Sequence, residues 1–330
     1  MHVDLHGLLA ALKASPAMRS KQAIQHPAQA LAGSAPCRER EALYALPGDD
    51  TAAIRCGDHY QLLAIEGMLP GFVAQAPWFA GWSSVMANVS DITAMGGRAT
   101  AVVNAYWHHD LQAADSLLAG IRDACQAYGV RLVGGHTSQA PGNPTALAVA
   151  ITGWARSLLS TLHVEPGQCL AMVVDLDGQW HGDAPYWKAF EGVPGERLRA
   201  KLEVIPRLAE AGLLLAAKDI SNAGVLGTLL MLLEPTGCGA QVDLARLPRP
   251  ADAPLERWLQ AFPSYGFLLT LRHEDLATVQ AAFSVEGLHC AAIGQVDASA
   301  RLHVSLEQQH LQFWDLHHHP FTGFSYPKEH

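Results

Sequence analysis

The run Cys169–Val174, CLAMVV, sets six apolar residues in succession between a Pro166-Gly167 turn and Asp175. A strand without polar alternation has no face to offer water, so this segment reads as a buried strand packed on both sides. It is too short to cross a bilayer, and nowhere does the chain offer roughly 18 apolar residues free of charge or turn signals. The N-terminal stretch MHVDLHGLLAALKASPA carries an acidic residue where a secretory signal would be basic, and its apolar run is short. A soluble, cytoplasmic protein with no membrane partner is expected. Its 330 residues suggest about two domains, and 49% hydrophobic residues can fill two ordinary cores. The net charge of −9 is spread without a basic block, so nucleic acid is not an expected partner. The six cysteines lie far apart with no C-x-x-C pair, which suggests reduced thiols rather than disulfides or a zinc knuckle.

Turn chemistry and hydrophobic spacing divide the chain further. Residues 5–32 read as helix interrupted by Pro16 and Pro27. A hairpin follows Pro47-Gly48-Asp49-Asp50, with Thr51–Ile54 and Gln61–Ile65 as strands about a Gly57-Asp58 turn. Over 81–95, Val85, Val89, Ile92 and Met95 recur at helical spacing, and Gly96-Gly97 ends the helix. Thr100–Trp107 reads as strand and Leu111–Tyr128 as helix closed by Gly129. Val130–Val133 and Ala146–Trp154 read as strands around a Gly134-Gly135 turn and the Pro141–Pro144 loop. Beyond Cys169–Val174, helices are expected over Gly195–Gly212 and Ser221–Leu233, and strands over Ala240–Leu244, Gly266–Leu271 and Cys290–Val296. The pattern predicts an α+β pair of domains, 1–160 and 161–316, followed by an irregular tail over 317–330.

Four polar motifs fall at the ends of these elements. Gly48-Asp49-Asp50 sets two carboxylates side by side, which either face a cation or donors or form a solvated turn. Asn88 and Asp91 share a helix face beside Val89, Ile92 and Met95. Burial there would require an ion or a hydrogen-bond network; an exposed or capped face is the alternative. Gly134-Gly135-His136-Thr137 either lets backbone approach a ligand or makes a plain tight turn. Lys218-Asp219-Ile220-Ser221-Asn222-Ala223-Gly224 opens a helix, with Asp219 or Ser221 as an ordinary N-cap or the helix start offered to phosphate. Together the motifs supply oxygen ligands for a hard cation and glycine turns for phosphates, as a magnesium nucleotide requires. Neither G-x-x-x-x-G-K-[ST] nor G-x-G-x-x-G occurs, so a P-loop or dinucleotide site is not supported.

The order and spacing of these motifs resemble the AIR-synthase-like (PurM-like) superfamily, which includes aminoimidazole ribonucleotide synthetase and thiamine-monophosphate kinase. Gly48–Ile54 looks like the kinase segment G-D-D-A-A-V, and Asn88–Gly96 like its N-x-S-D-[LI]-x-A-M-G helix. Gly134–Thr137 looks like its G-G-D-T turn, Asp219–Asn222 like its D-I-S-D-G helix start, and Glu66 falls where relatives place another acid. The resemblance spans about residues 40–300. It implies an N-terminal domain forming a shared β-barrel in a homodimer and a C-terminal α/β sandwich domain. It also implies an ATP- and Mg2+-dependent enzyme that phosphorylates or activates an oxygen of a small-molecule substrate, as a kinase, cyclase or dehydratase does.

On that resemblance, Asp49, Asp50, Asp91, Glu66 and Asp219 would hold the cations, with Asp91 and Asp49 catalytic. Asn88, Gly134, Gly135, His136, Asp219, Ser221 and Asn222 would contact the nucleotide, and Lys21 would reach the triphosphate from the N-terminal segment. His136 and Asn222 stand where the kinase has aspartates, and imidazole is a poor magnesium ligand. Those two replacements motivate the alternative of a non-catalytic nucleotide- or metabolite-binding subunit of a larger assembly. Arg98-Ala99 replaces a frequent proline, and no C-terminal Pro-Arg-[IV]-Cys tail is present, which removes the hydrogenase-maturation reaction. His108-His109-Asp110 and the aromatic stretch Trp180–Lys188 are further candidates to meet substrate.

Overall fold

The computed structural model describes residues 4–31, 43–45, 48–108, 111–139, 142 and 144–324. Three short helices open the chain: α1 (Leu5–Lys13), α2 (Pro16–Gln22) and α3 (Gln25–Leu31). Pro16 and Pro27 start helices rather than interrupt one. Each lies in a first turn, where a missing N–H breaks no bond, and Ser15 caps α2 by accepting from Met18 N.

The first sheet is built from β1 (Leu43–Ala45), β2 (Ala52–Cys56), β3 (His59–Met68), β4 (Arg98–His108), β5 (Arg131–Gln139) and β6 (Ala146–Ala155). Its order is β1-β2-β3-β6-β4-β5, antiparallel throughout except for the parallel β4–β5 pair. Between the strands run α4 (Pro70–Gln75), α5 (Pro77–Ala94) and α6 (Leu111–Tyr128). Leu62, Val102, Val149 and Ile151 turn inward and share a core with α5 and α6. The two helices touch backbone to backbone. A Cβ on Gly81 would lie 2.1 Å from the Leu117 carbonyl oxygen, and one on Gly120 would lie 2.0 Å from that of Trp78. The other face of the sheet is open: Ile54, Leu63, Ile65, Val103 and Trp107 are exposed on it. No closed sheet occurs among the described residues.

The expected Gly134-Gly135 turn is instead the middle of β5. Backbone there is engaged in the ladder with β4, and the glycine makes room for a side chain: a Cβ on Gly135 would lie 2.0 Å from Asn104 Oδ1.

The second sheet contains β7 (Cys169–Val174), β10 (Ala216–Asp219), β11 (Gly239–Asp243), β13 (Gly266–Leu271), β14 (His289–Asp297), β15 (Arg301–Leu306) and β16 (Gln309–Asp315). Its order is β10-β13-β7-β14-β11-β15-β16, and a ribbon of β8 (Gln179–Trp180), β9 (Tyr186–Lys188) and β12 (Phe262–Pro263) stands beside it. The helices of this half are α7 (Gly195–Glu210), α8 (Gly224–Leu233), α9 (Leu255–Leu259) and α10 (Leu276–Val285). β7 runs between β13 and β14, and all its residues are buried, as an unbroken apolar run requires. One face packs under α7 and α10, the other under α8.

The expected helix over Ser221–Leu233 starts only at Gly224. Asp219 ends a strand, and the helix cap is Ala223, which offers no side-chain hydrogen bond; neither Asp219 nor Ser221 caps it. Arg98, at the start of β4, reaches across to α7, holding Glu203 and Glu210 at 2.6 Å each.

The described residues nearest both ends of the chain pack on the second sheet. Leu5, Leu8, Leu9, Leu12 and Met18 share a core with Phe313, Leu316 and the fully buried Phe321. The buried Glu234 carboxylate accepts from the backbone N–H of Phe321 (2.6 Å), Thr322 (2.8 Å) and Gly323 (3.1 Å). The irregular segment after Leu316 is thereby fixed against α8 as far as Phe324. Among the described residues no helix is long and apolar enough to cross a membrane.

Candidate functional site

A cleft of about 250 Å³ opens between the two sheets. Asp50 enters it from the turn before β2, Asp91 from α5 and Asp219 from the end of β10. One carboxylate oxygen from each lies within 4.8 Å of the others. Local geometry explains the placement. Ala87 and Asp91, one helical turn apart, both face the cleft. After Asp219 the chain turns sharply through left-handed Ala223 (φ 83°) and Gly224 (φ 62°). A Cβ on Gly224 would lie 2.0 Å from the Leu259 carbonyl oxygen, so only glycine lets the strand pass so tightly into α8. That turn leaves Ser221 and Asn222 on the cleft wall.

The carboxylates are not equivalent. Asp50 is held on both oxygens: Lys218 Nζ pairs with Oδ1, and the Asp219 backbone N–H donates to Oδ2 at 3.2 Å. Lys218 also donates to the Gly48 carbonyl oxygen at 3.2 Å. Asp91 and Asp219 are only 7% and 5% exposed, yet their side chains accept no hydrogen bond from any described residue. Burial raises the Asp91 carboxyl well above its ordinary range, and the Asp219, Glu66 and Asp50 charges push the same way. Burial and the Asp50 charge push Asp219 up to about 8 against the opposing pull of Lys218 and Lys21. Glu66 is raised by burial and by Asp50, with Lys21 opposing. Burial works against the Lys218 ammonium, but Asp50, Asp219 and Asp49 hold it above the usual lysine range. Converging buried carboxylates without donors are the chemistry a hard divalent cation satisfies, so these residues fit such an ion.

Of the residues singled out in the sequence, Asp50, Asp91 and Asp219 come together, and Glu66, Lys21, Ser221 and Asn222 line the same cleft. Asp49 borders it but spends its carboxylate elsewhere. It accepts from Ser160 Oγ at 2.5 Å and from Thr161 N and Oγ1 at 2.7 Å each, which leaves it tying the linker down rather than in the acidic trio. Asn88 also differs from expectation. It is fully buried, and its amide donates to the Ser84 and Val149 carbonyl oxygens at 2.7 and 2.9 Å, pinning α5 to β6 outside the cleft lining. Gly134, Gly135 and His136 lie on β5 and do not line the cleft; His136 Nε2 bonds Ser138 Oγ at 3.0 Å. By register His136 lies beside Ala105, on the open face that carries Val103.

Lys218 was missed as a site residue, although it immediately precedes Asp219 on a strand. Phe262, Thr322 and Phe324 also line the cleft, brought there from positions no local pattern connects to it. Tyr186 of the aromatic stretch meets Phe262 at 6.2 Å between ring centroids, while Trp180 packs on Trp187 and Trp258 with Arg257 over its ring. His108 is buried, and His109 and Asp110 lie outside the described residues.

Residues 48–155 match the family model described as AIR synthase related protein, N-terminal domain, and residues 177–307 match the corresponding C-terminal domain. An uncharacterized protein of Synechocystis sp. is 44% identical over 84% of this chain and 86% of its own length. The thiamine-monophosphate kinase of Halobacterium salinarum is 30% identical over 67% of this chain and 77% of its own. Among solved structures, T. maritima PurL complexed with ATP superposes with a TM-score of 0.70 at 18% identity, covering 87% of this chain and 48% of that one. AaThiL complexed with AMPPCP and TMP superposes at 0.61 and 17% identity, covering 81% and 91%. The chain thus spans about half the length of the PurL structure it matches.

Proposed function

Because this chain belongs to the AIR synthase related family, we propose that its cleft binds ATP with Mg2+ and phosphorylates or activates an oxygen of a small-molecule substrate. The observation that carries the reading is the pair Asp91 and Asp219, buried, convergent and without a donor. Relatives and structural neighbours that handle nucleotides or are crystallised with them support it.

A bound Mg2+ would supply charge neutralisation at the transferring phosphoryl group. Asp91 and Asp219 would hold it. Lys21 brings a positive charge to the phosphates, and Ser221 and Asn222 offer a hydroxyl and an amide at the mouth. Phe262, Phe324 and Met231 give the cleft apolar walls that exclude water from the reacting atoms. Catalysis is then mainly positioning and electrostatics. The working unit is proposed to be a homodimer joined through the open face of the first sheet.

Calorimetric titration of ATP, with and without Mg2+, into wild type and Asp91→Asn tests the reading. Tight binding that needs both Mg2+ and Asp91 is expected, with Asp91→Asn folded but unable to turn over. A folded wild type that binds no ATP with Mg2+ would overturn it. Binding without ADP release across a panel of hydroxyl, carbonyl and phosphate acceptors would instead favour the non-catalytic subunit.

A further inference from the structure

We propose that the Lys218 ammonium takes the place of a second metal ion, so that the nucleotide-free cleft binds one divalent cation per chain, between Asp91 and Asp219. The inference rests on the cation-site reading above and specifies it.

Three carboxylates this close are a donor set able to bridge two divalent ions about 4 Å apart. Bridging would have to share an Asp50 that is already engaged on both oxygens, one of them by a full positive charge. One of its oxygens carries the Lys218 ammonium and the other the Asp219 backbone N–H. The ammonium cannot simply step aside: Lys218 is 4% exposed and is anchored again on the Gly48 carbonyl oxygen. Parting it from Asp50 would strand two buried charges.

Charge balance leads to the same place. Lys218 and one divalent cation together neutralise Asp50, Asp91 and Asp219, while Asp49 keeps its charge on the Ser160 and Thr161 donors; with Asp49 counted, a second divalent ion would leave one positive charge in excess. The flanking Glu66 and Lys21 carry opposite signs and cancel. The remaining carboxylates, Asp91 and Asp219, suit a single Mg2+, which uses one or two carboxylates and completes its octahedron with water or phosphate oxygens. Of the three Lys218 donors two are occupied, and the third is available to a ligand oxygen in the cleft that Lys218 lines.

Mn2+ titration followed by electron paramagnetic resonance, without nucleotide, tests the count. One Mn2+ per wild-type chain with an uncoupled spectrum is expected. Lys218→Met should admit a second ion and show exchange broadening, while Lys218→Arg should remain at one. Two ions in wild type, or one ion in Lys218→Met as in wild type, would overturn the proposal. Should Lys218→Met not fold, Asp50→Asn decides. A wild-type count with less than a tenfold loss of affinity supports Lys218 as the partner of Asp50, and a tenfold or greater loss makes Asp50 a ligand and overturns the proposal. No Mn2+ binding at all to folded wild type is a different failure, that of the cation site itself.

Discussion

Asp219, pushed up to about 8, keeps its proton over a pH range in which the unfolded chain has already released it. Between about pH 4 and about pH 8 the folded state therefore binds more protons than the unfolded one, and stability falls as pH rises through that window. Asp91, raised from the same causes, adds to the slope with the same sign. A divalent cation competes for the deprotonated carboxylates, so it offsets the loss and binds more tightly toward the alkaline end. Thermal unfolding of chelated protein should show a midpoint that declines from about pH 5 to about pH 8. The decline should flatten in Asp219→Asn and on adding Mg2+; a profile equally steep in that variant would contradict the account. Asp49 behaves differently. Asp49→Ala leaves Ser160 Oγ and the Thr161 N–H and hydroxyl without their acceptor, which should remove about 1–3 kcal/mol of stability in urea titration while Mn2+ binding persists. Adjacent identical residues with opposite roles show where sequence reading stops. Asp91 is legible, because an acid inside an apolar helix must be compensated, whereas the sequence places Asp219 at the opening of a helix and the structure at the end of a strand. Which of Asp49 and Asp50 faces the cleft is decided by Thr161 and Lys218, residues more than a hundred positions away.

Elements were legible where one physical signal dominated. Helical spacing marked α5, a closing glycine marked the end of α6, and an unbroken apolar run marked β7, because burial enforces such patterns whatever lies around them. Glycine misled the reading, since it serves turns and close approaches alike. Gly134-Gly135 suggests a turn but lies inside a strand, and β15 and β16, with alternating polar residues, carry no signal that marks them between Val296 and the irregular tail. Gly81 and Gly120, unremarked in the sequence, are where α5 and α6 touch. Gly120→Ala should lower stability by about 1–3 kcal/mol or more, since its Cβ would meet backbone 2.0 Å away that no side-chain rotation can move. Gly134→Ala is the matched comparison. The nearest atom to its Cβ is Val103 Cγ1 at 4.0 Å, so urea unfolding should separate the two variants clearly. Equal midpoints would mean that the helices can slide apart without loss.

At the scale of the whole molecule, the cleft is assembled by both halves and both ends of the chain. Lys21 and Phe324 reach it because the terminal segments pack together on the second sheet, where Gln25 Nε2 donates to the Pro320 carbonyl oxygen at 2.8 Å. What the monomer leaves unfinished is the open face of the first sheet. Leu63 and Ile65 are 51% and 69% exposed on one strand, with Val103 and Trp107 at 43% and 39% across β6. Burying one such side chain fully is worth roughly 1.5–3 kcal/mol, so several together can support a stable association. The proposed occupant is a second copy of this chain, whose identical face is equally apolar and would meet this one about a two-fold axis. Light scattering should give a dimer for wild type at micromolar concentration. Ile65→Lys would set an ammonium in the centre of that contact and should give a folded monomer. Lysine on the already exposed Ile65 leaves the inward core untouched, so the variant should keep the wild-type unfolding midpoint at low protein concentration. It should also keep its Mn2+ site, because Asp50, Asp91 and Asp219 all come from one chain. A wild type that stays monomeric across that range would remove the dimer and leave the apolar face to another partner.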